Sequence, residues 1–193
     1  RQMKTDSNHP KTSQPTPGDF RKIYNFISSH YNNVISIHLS KKLSGTYQSA
    51  FNASKKIKKI NIKIIDSHSA SVGLGLLTMY AVDLKREGKS YEEIISLVNN
   101  KRDKTYIYLV PDDLSYIVKG GRAPSKVKTI ANLLRIRPVL GTKKGNLKAR
   151  GVLYGKSNTV NKFSTYLVKK LNIEKQYKLM IAHSDCEDKG KRF

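Results

Sequence analysis

Apolar and polar residues follow two alternating patterns in the first half of the chain. Short, mainly apolar runs of strand type are followed by longer segments in which apolar residues recur every three or four positions, as on one helix face. The pattern predicts strands at 34–39 and 61–67 and helices at 19–30, 45–58, 70–87 and from Ser90, where Ser90 and Glu93 form a capping box. Such alternation is typical of βαβ units with a parallel sheet.

The pattern changes after Asp103. The predicted elements are then a strand at 105–110, a short helix capped by Asp112 and ended by Gly120 and Gly121, and a second helix from Ser125. A hairpin follows, with its turn at Lys143, Lys144 and Gly145. The last predicted elements are a helix carrying Val160, Phe163, Leu167 and Leu171 and a strand at 177–183. The sequence therefore predicts an α/β protein. Its N-terminal parallel-sheet domain spans 1–103, and a second, α+β domain spans 104–193.

Both ends of this pattern look incomplete. Residues 1–18 are loop-like, with no strand before them, and the last ten residues begin a helix and then stop. Only two strands of the parallel type remain in the first half. We therefore expect a fragment of a longer protein, in which the N-terminal domain lacks its first strand and the second domain is truncated.

The composition narrows the class of protein. Hydrophobic residues make up 38% of the 193 residues, and no run of about 18 apolar residues predicts a transmembrane segment. Residues 1–20 are polar, without the apolar core of a signal peptide. Cys186 is the only cysteine, so no internal disulfide can form. These features favour a cytoplasmic location.

The charge balance is strongly basic, with 37 Lys and Arg against 14 Asp and Glu and a formal net charge of +23. One interpretation is non-specific binding to nucleic acid or to an anionic membrane. The other is a lysine-rich composition spread over solvated surfaces. A basic protein that binds nucleic acid without sequence specificity therefore stays open as an alternative function.

Small hydroxyl-bearing residues gather where the first strand leads into a helix, at Ser40, Ser44, Gly45 and Thr46. Backbone amides are free at a helix N-terminus and the dipole is positive there, so this segment predicts an anion site. An N-cap with spare hydroxyls is the alternative interpretation.

Two further hydroxyl clusters occur, one before and one after this segment in the sequence. The first comprises Thr12, Ser13 and Thr16, between prolines, and the second lies within 65–71, after the second strand. From composition alone, the first of these is better explained as a polar loop. The second follows a strand, as the segment at 40–46 does, and the carboxyl ends of parallel strands line the ligand crevice in open α/β sheets. Two hydroxyl-rich strand ends in one sheet therefore strengthen the prediction of a binding site.

Other chemistries have little support in the sequence. A nucleophile elbow, zinc-ligand spacing, a phosphate loop and a dinucleotide fingerprint are all missing, so no metal or cofactor is predicted. A hydrolase that uses Ser44 stays as a remote third hypothesis. Three arginines are candidates for binding oxyanions: Arg122, after a glycine pair, and Arg137 and Arg150, in strand patterns.

Six segments occur in the order found in the DegV family of bacterial fatty-acid-binding proteins, which includes the B subunit of fatty acid kinase. They are "TSQPTPGDF", "IHLSKKLSGTYQSA", "IIDSHSASVGLG", "DDLSYIVKGGR", "LLRIRPVL" and "KARG". The chain resembles this family over nearly its whole length. A late His-Thr-Gly-Pro-Gly motif of the family is missing here.

The resemblance implies a two-domain protein that buries a long-chain fatty acid. It places the carboxylate on Thr12 and Ser44, with Ser13, Gly45 and Thr46 beside them. It also implies that the protein is no enzyme itself and presents the bound acid to an ATP-using kinase subunit, which forms an acyl phosphate. The family arginines linked to that step match Arg122 and Arg150.

Overall fold

The structure is a computed structural model that describes residues 11–123, 136–155, 157–172 and 174–193. The helix predicted from Ser125 lies outside the described residues. The helices are α1 Pro17–Ile27, α2 Thr46–Ser54, α3 Ser71–Arg86, α4 Tyr91–Arg102, α5 Ser115–Lys119, α6 Thr159–Lys170 and α7 Glu187–Lys191. The strands are β1 Asn33–His38, β2 Asn61–Asp66, β3 Tyr108–Leu109, β4 Ile136–Lys143 and β5 Asn146–Tyr154.

The first sheet consists of β1 and β2, which pair in parallel from Asn33↔Asn61 to His38↔Asp66. Helix α2 connects them, so the prediction of a βαβ unit is confirmed. The register brings both carboxyl ends to one edge of the sheet. The hydroxyl-rich segments that follow β1 and β2 are therefore neighbours.

Helices cover both faces of this sheet because β2 is apolar on both of its faces. Ile64 packs with residues of α1 and α2, including Tyr24 and Ala50, and its neighbour Ile65 packs on the other face with α3 and α4, including Leu77 and Val98. Successive strand residues point to opposite faces, so these adjacent isoleucines fix the sheet between two helical layers.

Local signals set several helix ends as the sequence predicted. Ser90 and Glu93 form the expected capping box of α4. Gly88 lies just beyond α3 with φ of +79°, the left-handed conformation that a C′ glycine adopts at little cost. Helix α1 begins earlier than predicted, at Pro17, because Thr16 rather than a later residue caps it.

The second sheet is antiparallel, in the order β3-β4-β5, and the predicted hairpin between β4 and β5 is confirmed. Its two-residue turn has positive φ at Lys144 and Gly145, +49° and +82°, as type I′ turns require. The register shifts so that Leu140 pairs with Ala149 and Val139 with Gly151. Arg150 is therefore the extra residue of a β-bulge.

Three predictions in this half differ from the structure. The strand expected at 105–110 is reduced to Tyr108–Leu109, which is the length that pairs with β4. Asp112 does not cap α5: the Ser115 amide donates to Asp113 Oδ1 at 2.8 Å, and Asp112 instead pairs with Arg137 and Lys189. The Lys189 and Arg137 contacts hold the pKa of Asp112 below its usual value.

The strand expected at 177–183 is also not formed. This segment lies against α3, where Lys178 Nζ is 3.2 Å from Asp83 Oδ2 and Met180 lies beside Gly75. A strand requires backbone pairing, and in the described part of the chain no strand lies beside this segment. The short helix expected after it is present as α7.

The boundary predicted near residue 103 falls between the two sheets and stays a prediction. Across the described ranges, no helix is both long and apolar enough to cross a membrane.

Candidate functional site

The loop from β1 to α2 places two hydroxyls at the start of a helix. Ser44 Oγ lies 2.9 Å from Thr46 Oγ1 and accepts a hydrogen bond from the Thr46 amide at 3.2 Å. Gly45 is the N-cap of α2 and has no side chain that could cap the helix. Apart from the Thr46 amide, the first amides of α2 therefore depend on other acceptors, which is the arrangement that binds an anion at a helix N-terminus.

Gln14 brings the first hydroxyl segment against this loop, and the sequence interpretation missed it. Its Nε2 donates to Ser49 Oγ at 3.2 Å. A Cβ built on Gly45 would lie 1.7 Å from Gln14 Oε1, so the Gln14 side chain lies directly against Gly45 and would have to shift if this position carried a side chain. Thr12 and Ser13 directly precede Gln14 and are exposed. The described contacts thus join the two segments through Gln14, not through Thr12 or Ser13.

Thr16, the third hydroxyl of the first cluster, has a structural role. Its Oγ1 accepts from the Asp19 amide at 3.2 Å, and the Asp19 carboxylate accepts from the Thr16 amide, which completes a capping box for α1. The hydrogen bond from the Thr16 side chain lowers the pKa of Asp19. Helix α1 therefore starts from a fixed point two residues after Gln14.

Ser40 anchors the base of the loop and is fully buried. Its Oγ donates to the Gly145 carbonyl at 2.7 Å, across 105 positions of sequence, and accepts from the Lys42 amide at 3.2 Å. Its backbone amide donates to Ser69 O at 2.7 Å. One residue therefore ties the loop both to the hairpin tip and to the segment after β2.

The hydroxyl cluster after β2 serves mainly to shape its own turn. Ser67 and Ser69 are buried, Ser67 Oγ donates to Ser69 O at 3.1 Å, and the Ser69 amide donates to Ser67 Oγ at 3.1 Å. His68 lies between these two serines and is half-buried, and its Nδ1 is 3.0 Å from Asp103 Oδ1. The Ser67 hydroxyl therefore holds this turn in place, whereas the buried Ser69 Oγ has no hydrogen-bond partner among the described residues.

The hydrolase hypothesis gains nothing from the histidines near this edge. His38 packs edge-on against Phe20 and lies 2.8 Å from Ser36 Oγ, as a packing residue would, and burial lowers its pKa. His68 pairs with Asp103. Within the described ranges, no histidine hydrogen-bonds Ser44, and no group of three acidic, histidine or cysteine side chains is arranged to hold a metal.

Arg122 lies on a rigid turn at the end of α5. The Gly121 amide donates to Val118 O and the Arg122 amide to Ile117 O, with Gly121 at φ of +74°, which is a Schellman motif. The Arg122 guanidinium also donates to Gly120 O. Its side chain is exposed, so the turn fixes the backbone and leaves the charge at the surface.

Arg150 is directed by the bulge of β5 rather than by a regular strand. Its guanidinium lies over the Tyr108 ring, 5.9 Å from the centroid, and its carbonyl accepts from Tyr166 Oη at 2.7 Å. It lines a cavity together with the hairpin turn. In the part of the chain that the structure describes, no hydrogen bond or ion pair joins Arg150 to Arg122 or to Ser44. Arg137, the third candidate, is paired with Asp112.

Sequence comparison places this arrangement in a known family. Residues 1–193 match the DegV family, described as a family of uncharacterised proteins, so the chain belongs to the DegV family. A DegV domain-containing protein of Staphylococcus aureus (strain COL) is 37% identical over 161 residues, which cover 83% of this chain and 56% of the relative. The chain thus spans little more than half the length of that relative.

Solved structures agree with the fold. A DegV family protein from Thermus thermophilus, described by its fatty acid binding, superposes with a TM-score of 0.77 at 28% identity over 87% of this chain and 60% of the other. DegV from Bacillus subtilis, described as a fatty acid binding protein, superposes with a TM-score of 0.74 at 29% identity. This match covers 88% of this chain and 60% of the other. The predicted fold class is confirmed, and the nucleic-acid alternative gains no support.

Proposed function

We propose that this protein binds a long-chain fatty acid and holds its carboxylate at the loop between β1 and α2. The hydroxyls of Ser44 and Thr46 and the amides that follow Thr46 in the first turn of α2 would be donors, with Thr12 and Ser13 completing the site. The observation that carries the proposal is the contact of Gln14 with Gly45 and Ser49, because it gathers both hydroxyl segments at one helix N-terminus. The fatty acid binding of the two structural relatives supports the same ligand.

Neutral donors suit this task. Amides and hydroxyls at a positive helix end stabilise a carboxylate without the fixed bidentate pairing that an arginine imposes. One carboxylate oxygen then stays available for reaction. The predicted head-group residues include no cation, which fits this division of roles.

The hydrocarbon tail would supply most of the affinity. A sixteen-carbon chain gains about 0.8 kcal/mol per buried methylene, on the order of 10 kcal/mol before losses. The free-energy costs of desolvation and of ordering the tail and the side chains offset part of this gain. Tight binding therefore requires only a few head-group contacts.

Protein purified from bacterial cells should carry a fatty acid, because a fully desolvated tail leaves slowly. Organic extraction followed by mass spectrometry of the extract measures it directly. The function would be ruled out if the purified protein contained no fatty acid and, after delipidation, bound neither palmitate nor oleate.

We further propose that the bound acid is presented to an ATP-dependent fatty acid kinase subunit in the cytoplasm, which converts it to an acyl phosphate. Phosphoryl transfer then belongs to the partner, and this protein acts as a carrier. Arg122 and Arg150 are the residues proposed to meet the partner or the new phosphate. Arg122 suits contact with a partner because a rigid turn presents its exposed charge.

Arg122→Ala should leave fatty acid binding nearly intact while lowering acyl phosphate formation by about tenfold or more, the size expected for a lost hydrogen bond to a charged group. A reaction reconstituted with the kinase subunit measures turnover, and calorimetry measures lipid affinity. Arg86→Ala, which removes an exposed arginine from α3, is the control and should change neither.

Two results would contradict this role for Arg122. Loss of lipid affinity would place the residue in the head-group site. A lower thermal midpoint with unchanged turnover per folded molecule would reduce it to a support for the turn through its hydrogen bond to Gly120.

A further inference from the structure

A basic cavity of about 210 Å³ opens between the end of α4 and the hairpin turn. Its wall includes four permanent cations, Arg102, Lys143, Lys144 and Arg150, and we call this the basic cavity. None of its lining residues belongs to the segments that carry the proposed head-group site. It therefore requires an explanation of its own.

The charge in the basic cavity is largely uncompensated. Of the described residues in the wall, Asp103 is the one carboxylate, and it already lies 3.0 Å from His68 Nδ1 and 3.9 Å from Arg102 Nε. Among the described residues, no carboxylate comes within 4.0 Å of Lys143, Lys144 or Arg150. Cations held together at this density repel one another, and an anion between them would relieve that repulsion.

Arg102 adds an unused donor. Its Nη1 donates to Asp66 O at 3.2 Å, which fixes the guanidinium, but its buried Nε has no hydrogen-bond partner among the described residues. A buried donor without an acceptor costs free energy. An oxygen atom of a ligand in the cavity is a suitable acceptor for it.

The cations stand on rigid supports. Lys144 is the first residue of a type I′ turn whose second residue, Gly145, is bonded to buried Ser40. Arg150 is directed by the β-bulge and held over Tyr108. Side chains placed in this way lose less freedom when they bind a ligand than side chains on an unsupported loop.

We propose that the basic cavity binds the phosphate group of a small phosphorylated molecule. Guanidinium groups bind phosphate oxygens in a bidentate manner, and a dianion matches several cations better than a single carboxylate does. The volume is about seven times the ~30 Å³ that one water molecule occupies in the liquid, which leaves room for a small group attached to the phosphate. The site shares only Arg150 with the proposed function and stands or falls separately from it.

Calorimetric titration of the purified protein with inorganic phosphate and with glycerol 3-phosphate tests this site, at about 150 mM NaCl to screen scattered lysines. Lys144→Asn is the informative variant, because it removes the cation while Asn-Gly keeps the type I′ turn. Binding should weaken about tenfold or more. Lys148→Asn makes the same charge change on the same hairpin outside the cavity and should alter binding less than about twofold.

The two ligands separate the sources of the phosphate. Tighter binding of glycerol 3-phosphate assigns the site to phosphate esters, and tighter binding of inorganic phosphate assigns it to the free ion. No binding of either ligand, or equal weakening in both lysine variants, would overturn the site. Loss of phosphate binding in Ser44→Ala would also overturn it, because the anion would then occupy the loop before α2.

Discussion

Replacing both Thr12 and Ser44 with alanine is expected to weaken fatty acid binding by about 1–3 kcal/mol, roughly 5- to 150-fold. The physical reason is the loss of hydrogen bonds to a charged carboxylate. The fold should survive, since Thr12 is exposed and the described hydrogen bonds of the Ser44 side chain stay within its own loop. Calorimetric titration of delipidated protein with palmitate measures the change.

A matched control removes two hydroxyls elsewhere. Ser29 and Thr78 are exposed, and each donates only to a nearby helix carbonyl, Phe26 O or Leu74 O. The Ser29→Ala, Thr78→Ala double variant should bind palmitate like the unaltered protein. If the Thr12 and Ser44 double variant also binds normally, with unchanged circular dichroism, the head-group site is elsewhere.

Gly145→Ala is expected to destabilise the protein by about 2–5 kcal/mol. Part of this loss comes from a φ of +82°, which a residue with a side chain adopts only under strain. The rest comes from the new Cβ, which would lie 2.6 Å from Ser40 Oγ and disrupt its buried hydrogen bond to Gly145 O. Urea unfolding measures the change in the free energy of unfolding.

Gly88→Ala separates these two causes. Gly88 has nearly the same φ, +79°, but no atom of the described residues lies within 4 Å of an added Cβ. The free energy of unfolding of Gly88→Ala should therefore fall only by the part due to backbone strain, of order 1–3 kcal/mol. The difference between the variants reports the contact between the hairpin tip and Ser40, and equal losses would mean that this contact contributes nothing.

The same pair of variants connects stability to the site. Ser40 anchors the loop that carries Ser44, so displacing it should also weaken palmitate binding in Gly145→Ala. Gly88→Ala should bind palmitate normally, because Gly88 only ends α3. Normal binding in both variants would show that the head-group loop keeps its shape without the hairpin.

The parts of the fold that sequence predicted are those fixed by local rules. The capping box of Ser90 and Glu93 and the turn at Lys144 and Gly145 depend on residues within three positions of each other. The parallel strands followed from apolar runs long enough to be buried on both faces, as Ile64 and Ile65 are. Such features require no knowledge of what lies across the molecule.

The parts that sequence missed depend on distant partners. Gln14 contacts residues 45 and 49, and Ser40 bonds to Gly145, so neither role can be read from the residues nearby. Asp112 resembled a helix cap but pairs with Arg137 and Lys189 instead. The segment 177–183 has a strand-like composition but forms no strand, because none of the described strands pairs with it.

The candidate site was predicted only in part for the same reason. The hydroxyl clusters could be recognised in the sequence, and the resemblance to DegV proteins selected Thr12 and Ser44 among them. Thr16 and Ser67 belonged to the same clusters, yet their hydroxyls serve helix capping and turn formation. Residue type does not distinguish a ligand donor from a structural one, but the hydrogen-bond partners do.

The most direct test of fatty acid binding compares the lipid carried by two proteins purified in parallel, one unaltered and one with Thr12→Ala and Ser44→Ala. Organic extracts of equal amounts are quantified by mass spectrometry against an added standard. We predict close to one fatty acid per molecule for the unaltered protein and a clearly lower occupancy for the double variant. An unaltered protein without fatty acid, or equal occupancy in both, would contradict a carboxylate site at this loop.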